Sequence, residues 1–296
     1  MRVLVTGASG FAGSAAARCL AAAGHAVAAL YRAPSRYSAT LQDVAGLRLL
    51  HGQLSDADQL PGPFDAVVHA AATSPGPGIS VERLVEDTLA GTSSLLAAAD
   101  RWRPRAFVFY SSLSVYGRIT APVVDETTAI VDPDPYGACK HLCERLLADR
   151  AASLPGIALR LPGVLGPGAR RNWLSDVAEH LTAGDPVRAF HLDAPFNNAV
   201  HVADLSRFVG HLIENEWKGF DAVVLGARGA LEVESVIRRL AAGLGVTPRI
   251  ETSAPAKASF VLSSDHAQQR WGYHPADLGD LLDRYAADVL AWRAAG

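Results

Sequence analysis

Tyr136 and Lys140 stand four residues apart, directly behind Pro133 and Pro135, so a helix is expected to start at or near Tyr136. On a helix that spacing puts both side chains on one face. A phenol with a pKa near ~10 is a poor base at neutral pH. A neighbouring ammonium favours the phenolate, so Lys140 is expected to lower the pKa of Tyr136 toward useful acid–base chemistry. The same spacing also occurs as a plain surface pair, so it needs a partner. Serines supply one: the run Phe107-Val108-Phe109-Tyr110 leads into Ser111-Ser112-Leu113-Ser114. A hydroxyl at the carboxyl end of a strand can hold a substrate carbonyl or alcohol opposite the tyrosine, and the spare serines would satisfy the turn.

A second constellation opens the chain. Val3-Leu4-Val5-Thr6 runs into Gly7-Ala8-Ser9-Gly10-Phe11-Ala12-Gly13, and an Ala-rich helix from Ser14 to Ala23 closes at Gly24. Strand, glycine turn and helix start form a seat for a pyrophosphate. Residues without a Cβ let backbone N–H groups approach the anion, and the helix N-terminus adds roughly +0.5 of a charge. The spacing is GxxGxxG rather than the GxGxxG of many dinucleotide sites.

The elements that must position these groups follow from pattern. Apolar runs at Ala26–Leu30, Leu47–Leu50, Ala66–His69, Ala106–Tyr110 and Ile157–Leu161 read as strands buried on both faces. Helical stretches lie between them, the longest at Val81–Trp102 and Tyr136–Ala152. Such alternation specifies an α/β fold, a Rossmann-type doubly wound parallel sheet with ligands at the carboxyl ends of its strands. Past Leu161 the rhythm loosens through Pro162-Gly163 and Gly166-Pro167-Gly168. Residues 1–165 are therefore expected to form the dinucleotide-binding domain, its sheet extended by about 197–226. Residues 166–196 and 227–296 would form a smaller α/β substrate lobe, with the substrate in the cleft between the two.

Composition narrows the function classes. Of 296 residues 49% are apolar and 19% charged, which reads as globular. The net charge of −3 comes with no Lys/Arg block, so neither nucleic acid nor an anionic membrane is an expected partner. Cys19, Cys139 and Cys143 are odd in number and lack metal-ligand spacing, which argues for free thiols, no disulfide frame and no metal site. With no signal peptide and no uninterrupted apolar run of roughly 18 residues, the expected location is the cytoplasm.

Taken in order, Thr6-Gly7-x-x-Gly10-Phe11-x-Gly13, His69-Ala70-Ala71-Ala72, Ser111-Ser112-x-x-Val115-Tyr116-Gly117, Tyr136-Gly137-Ala138-Cys139-Lys140 and Leu159-Arg160-Leu161-Pro162-Gly163-Val164-x-Gly166-Pro167-Gly168 resemble the extended short-chain dehydrogenase/reductase superfamily. Within it, the likeness is to the NAD-dependent epimerase/dehydratase group acting on nucleotide sugars. It continues through Val200–Leu205 to Trp271–Pro275 and so covers nearly the whole chain.

The resemblance implies a triad of Ser112, Tyr136 and Lys140, with Ser112 chosen over Ser111 by its distance from Val115-Tyr116-Gly117. Tyr136 would exchange a proton with a sugar hydroxyl or ketone while hydride moves to or from the nicotinamide. Lys140 would also hold the nicotinamide ribose. Gly7, Ser9, Gly10, Phe11, Ala12 and Gly13 would bind the cofactor together with Gln53, Leu54, Ala70, Ala71 and Ala72. Pro162 would lie near the carboxamide and Val164 beside it. It also implies a homodimer pairing the helices that begin at Val81 and Tyr136.

Departures from the family pattern are informative. NAD-preferring members end the second strand with an aspartate. Here Tyr31 and Arg32 stand there with Arg36 nearby, so NADP(H) is expected to be favoured over NAD(H). Dehydratases place Asp-Glu after the catalytic hydroxyl, and Leu113-Ser114 supplies no such acid. The arginine that grips a substrate diphosphate is replaced by Asn197, seven residues before Asp204 and beside Asn198. Lys257, Arg270, Arg170 or Arg171 would compensate, or the substrate carries no diphosphate. Thr73, Ser74, Leu113, Ser114, Asn172, Trp173, Asn197, Asn198 and Lys257 are the expected substrate contacts. His201 reads as structural, and Asp204 as a brace for its helix.

The leading expectation is an NAD(P)-dependent epimerase or oxidoreductase on a nucleotide-sugar-like, small-molecule substrate. An NADPH-dependent ketoreductase acting on a keto-sugar or another carbonyl stands beside it. A non-catalytic dinucleotide sensor is the reading from another class, disfavoured by the retained Tyr/Lys pair. No Gly-x-Ser-x-Gly elbow supports a serine hydrolase.

Overall fold

Short β-branched runs that bury both faces assemble into one sheet, and a computed structural model shows which. It describes residues 1–76, 78–255 and 257–294. Strands β1 (Arg2–Thr6), β2 (Ala26–Tyr31), β3 (Leu47–His51), β4 (Ala66–His69), β5 (Ala106–Ser112), β6 (Gly156–Leu161) and β7 (Phe220–Val224) lie in the order β7-β6-β5-β4-β1-β2-β3. The register is parallel across β1–β2, β2–β3, β1–β4 and β4–β5. This is the expected doubly wound Rossmann-type sheet. Its strand order reverses at β1, and the crevice beyond the carboxyl ends of β1 and β4 is where such sheets bind ligands.

The chain folds as two compact units. The first comprises Met1–Gly117, Ile130–Arg160 and Leu205–Val223 and holds the sheet. Helices α1 (Phe11–Ala22), α2 (Gly91–Trp102) and α3 (Pro135–Ala148) belong to it. Leu4, Val67, Leu95, Leu96, Phe107, Phe109 and Leu147 are among the side chains that close its core. The expected single helix over 81–102 is built differently. An α-helical turn at Val81–Leu84 continues into a π-helical stretch at Val85–Ala90 before α2 begins. There the Gly91 N–H reaches back to the Glu86 carbonyl, which widens the turn. Such bulges recur at functional sites.

The second unit comprises Arg118–Ala129, Leu161–Asp204 and Val224–Gly296. It is built from two-stranded pairs rather than a continuous sheet, because prolines and glycines break its apolar runs. Gly163–Leu165 pairs with Ala199–His201, Val187–Ala189 with Ile250–Thr252, and Pro195–Phe196 with Leu231–Glu232. Val123–Val124 pairs with Val261–Leu262, which places residues 118–129 in this unit, although the sequence reads them within the first. Helices α4 (Trp173–Ala183), α5 (Val233–Gly243) and α6 (Leu278–Ala294) pack around Leu174, Ile237, Leu240, Leu282 and Tyr285. Among the described residues no helix is long and apolar enough to cross a membrane.

Candidate active site

A cavity of about 440 Å³ opens at the carboxyl ends of β1 and β4. Its walls are Gly7, Ser9 and Gly10 from the turn after β1, Leu30 from β2 and Arg32 just past it, and Gly52–Ser55 after β3. Ala70–Thr73 after β4 face the residues Glu86, Asp87, Ala90, Gly91 and Ser94. Gly7 has φ +75°, and a Cβ there would sit 2.7 Å from the Ala71 nitrogen, so only glycine lets the turn pass β4 this closely. No side chain caps α1, which leaves its first-turn N–H groups available to an anion. The donor set suits a dinucleotide: bare backbone N–H groups for the phosphates, and Leu30 and Leu54 for an apolar ring.

Not every residue expected at the cofactor walls this cavity. Phe11, Ala12 and Gly13 form the first turn of α1, and the Phe11 ring packs on Tyr37 at 6.0 Å. The Tyr31 ring is turned onto His51 at 5.4 Å, and neither it nor Arg36 is among the walls. Pro162 and Val164 lie in the second unit, where Val164 pairs with Val200. Arg32 is not a loosely solvated charge: its Nη1 donates to Asp87 Oδ1 at 2.7 Å. Sequence reasoning missed Asp87, Glu86 and Ser94, whose place on the wall depends on the π-helical stretch and on tertiary packing.

Beneath the cavity, His69 is fully buried between two hydroxyls. Its Nδ1 is 2.7 Å from Thr6 Oγ1 and its Nε2 is 2.9 Å from Thr92 Oγ1. Burial, aided by the Lys140 charge, pushes its pKa down to about 3, so it stays neutral and ties β1 and β4 to α2.

Ser112 closes β5, and its Oγ accepts from the Ser114 N–H at 3.1 Å, capping the 3₁₀ turn Leu113–Tyr116. Leu113 and Ser114 sit half-buried in that turn. Across from it α3 starts with Pro135 at its first turn, capped by Asp134 through the Gly137 N–H at 2.7 Å. A Cβ on Gly137 would run into the Ser114 carbonyl. That glycine lets the first turn of α3, with Tyr136, settle against the turn that Ser112 caps.

Lys140, one helical turn on, is 2% exposed. Its Nζ donates to the Tyr110 carbonyl at 2.6 Å and lies 4.6 Å from the Phe109 ring centroid and 5.8 Å from that of Tyr136. Burial lowers its pKa to about 8, opposed by Cys143 and Glu144. The expected lowering of the Tyr136 pKa is not what the structure shows. Burial, then Asp134 and Cys143, push it up to about 12, with desolvation the largest cause.

A buried network behind this site escaped the sequence reading. Ser111 Oγ donates to Glu144 Oε1 at 2.5 Å, so Ser111 is committed inward rather than to a substrate. Arg160 donates to Glu144 at 3.1 and 2.8 Å and to the Tyr116 hydroxyl at 2.9 Å. The available signal was Tyr136, Lys140 and Glu144 at four-residue steps on one helix face.

Among the expected substrate contacts, Thr73 lines the first cavity, donating to Asp87 Oδ2 at 2.5 Å, with Ser74 half-buried beside it. Trp173, Asn198 and Lys257 share a separate cavity of about 350 Å³ in the second unit with Phe190, Phe196 and Phe260. Asn172 and Asn197 are engaged within the second unit. Asn172 caps α4 and donates to the Val164 carbonyl at 3.3 Å. Asn197 gives both amide hydrogens to the Ala227 and Leu262 carbonyls and accepts from the Leu262 N–H at 2.7 Å, which leaves it no amide hydrogen for a ligand. His201 Nε2 lies 2.7 Å from Asp288 Oδ2, and Asp204 pairs with Arg284 at 3.1 Å.

Comparison with known proteins adds an independent finding. The model of the NAD dependent epimerase/dehydratase family matches residues 3–226. A UDP-glucose 4-epimerase of Streptomyces lividans is 27% identical over 318 residues, covering 96% of this chain and 95% of that protein. A 2-alkyl-3-oxoalkanoate reductase of Stenotrophomonas maltophilia is 36% identical over 177 residues, covering 57% of this chain and 52% of that protein. Among solved structures, MoeE5 in complex with UDP-glucuronic acid and NAD superposes with a TM-score of 0.83 at 27% identity, covering 100% of this chain and 99% of that one.

Proposed function

Because the chain belongs to the NAD-dependent epimerase/dehydratase family, we propose that it binds a nicotinamide dinucleotide over the Gly7–Gly13 turn and uses Tyr136 as acid–base for hydride transfer on a nucleotide-sugar-like substrate. One observation carries the reading. A glycine-walled cavity and the group Ser112, Tyr136 and Lys140 lie on the carboxyl edge of one sheet, in one unit. When bound, the nicotinamide ring supplies or accepts hydride. The chain's own groups do the rest. The Ser112 hydroxyl orients the substrate oxygen, the Tyr136 phenol gives or takes its proton, and the buried Lys140 ammonium favours charge developing on that phenol. Leu113-Ser114 offers no acid to expel water, which disfavours dehydration.

A reductase working on a carbonyl without a diphosphate is a second reading. It is favoured by Asn197, whose amide is spent on the backbone where a diphosphate-gripping arginine would stand. Dinucleotide retained through purification supports epimerisation, and free exchange supports reduction. The absence of a carboxylate at Tyr31-Arg32, with Arg32 on the cavity wall, supports NADP(H) over NAD(H). The free thiols Cys19, Cys139 and Cys143 suit the cytoplasm. Exposed Val81, Val85 and Leu142 support a homodimer.

The test is Tyr136→Phe, assayed for interconversion of UDP-sugar epimers and for oxidation of reduced dinucleotide by keto-sugars and simple ketones. Turnover should fall by about 10²–10⁴ with dinucleotide affinity nearly unchanged. Full activity would refute the assignment.

A further inference from the structure

Asp87 is the hub of the cavity rim. Its Oδ1 accepts from Arg32 Nη1 at 2.7 Å, while its Oδ2 accepts from Arg83 Nε at 2.7 Å and Thr73 Oγ1 at 2.5 Å. The donors come from separate elements: Arg32 from the end of β2, Thr73 from the loop after β4, and Arg83 from the helical turn Val81–Leu84. The Asp87 side chain is 13% exposed against 49% for Arg32, so a carboxylate largely withdrawn from water anchors an arginine that reaches into it.

We propose that Asp87 and a ribose 2′-phosphate compete for Arg32, so that Asp87 sets how strongly the cavity distinguishes a 2′-phosphorylated dinucleotide from an unphosphorylated one. The inference rests on the reading of this cavity as a dinucleotide site. Arg32, Thr73 and Asp87 all face that cavity. Asp87 uses one edge of the guanidinium, and a planar fork can turn its other edge to a second oxyanion. Arg83 holds the same carboxylate independently, so loosening the Arg32 contact does not strand a charge. Against the effect of burial, hydrogen bonds from Arg32, Thr73 and Arg83 hold the Asp87 carboxyl below its usual range, at about 2, so it stays ionised and repels an incoming phosphate. A neutral residue at position 87 therefore frees Arg32 and removes that repulsion together.

The test is calorimetric titration of the full chain with NADH, NADPH, 5′-ADP and 2′,5′-ADP, the last two isolating the adenosine half. Asp87→Asn should raise the preference for 2′,5′-ADP over 5′-ADP by about tenfold at low salt, with NADH affinity moving much less, and added salt should shrink the gain. Arg32→Ala should bring the preference close to unity. Arg83→Ala reads the competition from the other side: Asp87 then holds Arg32 alone, and the preference falls, a readout available even where Asp87→Asn fails to fold. An unchanged ratio in Asp87→Asn, or an equal loss of all four ligands, overturns the inference while leaving the dinucleotide site standing. Binding of none of the four by the wild-type chain overturns the site itself, and the inference with it.

Discussion

At the scale of single residues, the free protein holds a neutral phenol beside a cation. Tyr136 is pushed up to about 12 and Lys140 down to about 8, so at pH 7 the first keeps its proton and the second its charge. On the proposed function, such a pair is set to donate a proton to a developing alkoxide, the reductive direction. Above about pH 8 the Lys140 ammonium is lost, and with it the positive charge that eases proton departure from Tyr136. We therefore predict that kcat/KM for carbonyl reduction is level between pH 6 and 7 and declines above about 8. Lys140→Met should lower the plateau by about 10²–10⁴ and erase the alkaline decline. A pH profile in which the variant keeps that decline would assign it to another group.

Between elements, the Glu144–Arg160 pair joins α3 to β6, and through Ser111 it reaches the strand that ends in Ser112. Both charges are buried, so removing one leaves the other uncompensated. Glu144→Gln should destabilise the protein by about 3–5 kcal/mol in denaturant titrations, and pairing it with Arg160→Met should recover much of the loss. Additive losses would show that the two residues do not act as a unit. Little of this network was legible in the sequence, because Arg160 sits inside an apolar strand run and its partner is fixed only when α3 packs on the sheet. The strands themselves were legible: continuous apolar runs gave Ala66–His69 without error and β2, β3 and β6 to within a residue at their ends. The glycine turn and the Tyr/Lys pair were legible for a similar reason, since each is encoded by local spacing. The π-helical stretch Val85–Ala90 was not, for no glycine or proline marks it before Gly91. The role of Asn197 was hidden too, because its partners Ala227 and Leu262 lie far along the chain.

For the molecule as a whole, the first unit leaves apolar surface where polar residues would be expected. Val81 is 49% exposed, Val85 41% and Leu142 48%. The first two lie on the helical stretch that packs beside α3, which carries Leu142, in the same unit. An isologous dimer buries such a patch against its own copy, and a stable interface takes about 1,600 Å² in total. Light scattering at micromolar chain concentration should give twice the 31.1 kDa chain mass. Val81→Glu with Leu142→Glu places like charges in the same patch on both copies and should return the mass to a single chain. Neither residue walls the cavity beside Gly7, the proposed dinucleotide site, so NADH and NADPH affinities should stay within about threefold of the wild type, a shift below ~0.7 kcal/mol. A wild-type chain that stays monomeric throughout would reject this surface as an interface, and a double variant that remains dimeric would move the interface elsewhere.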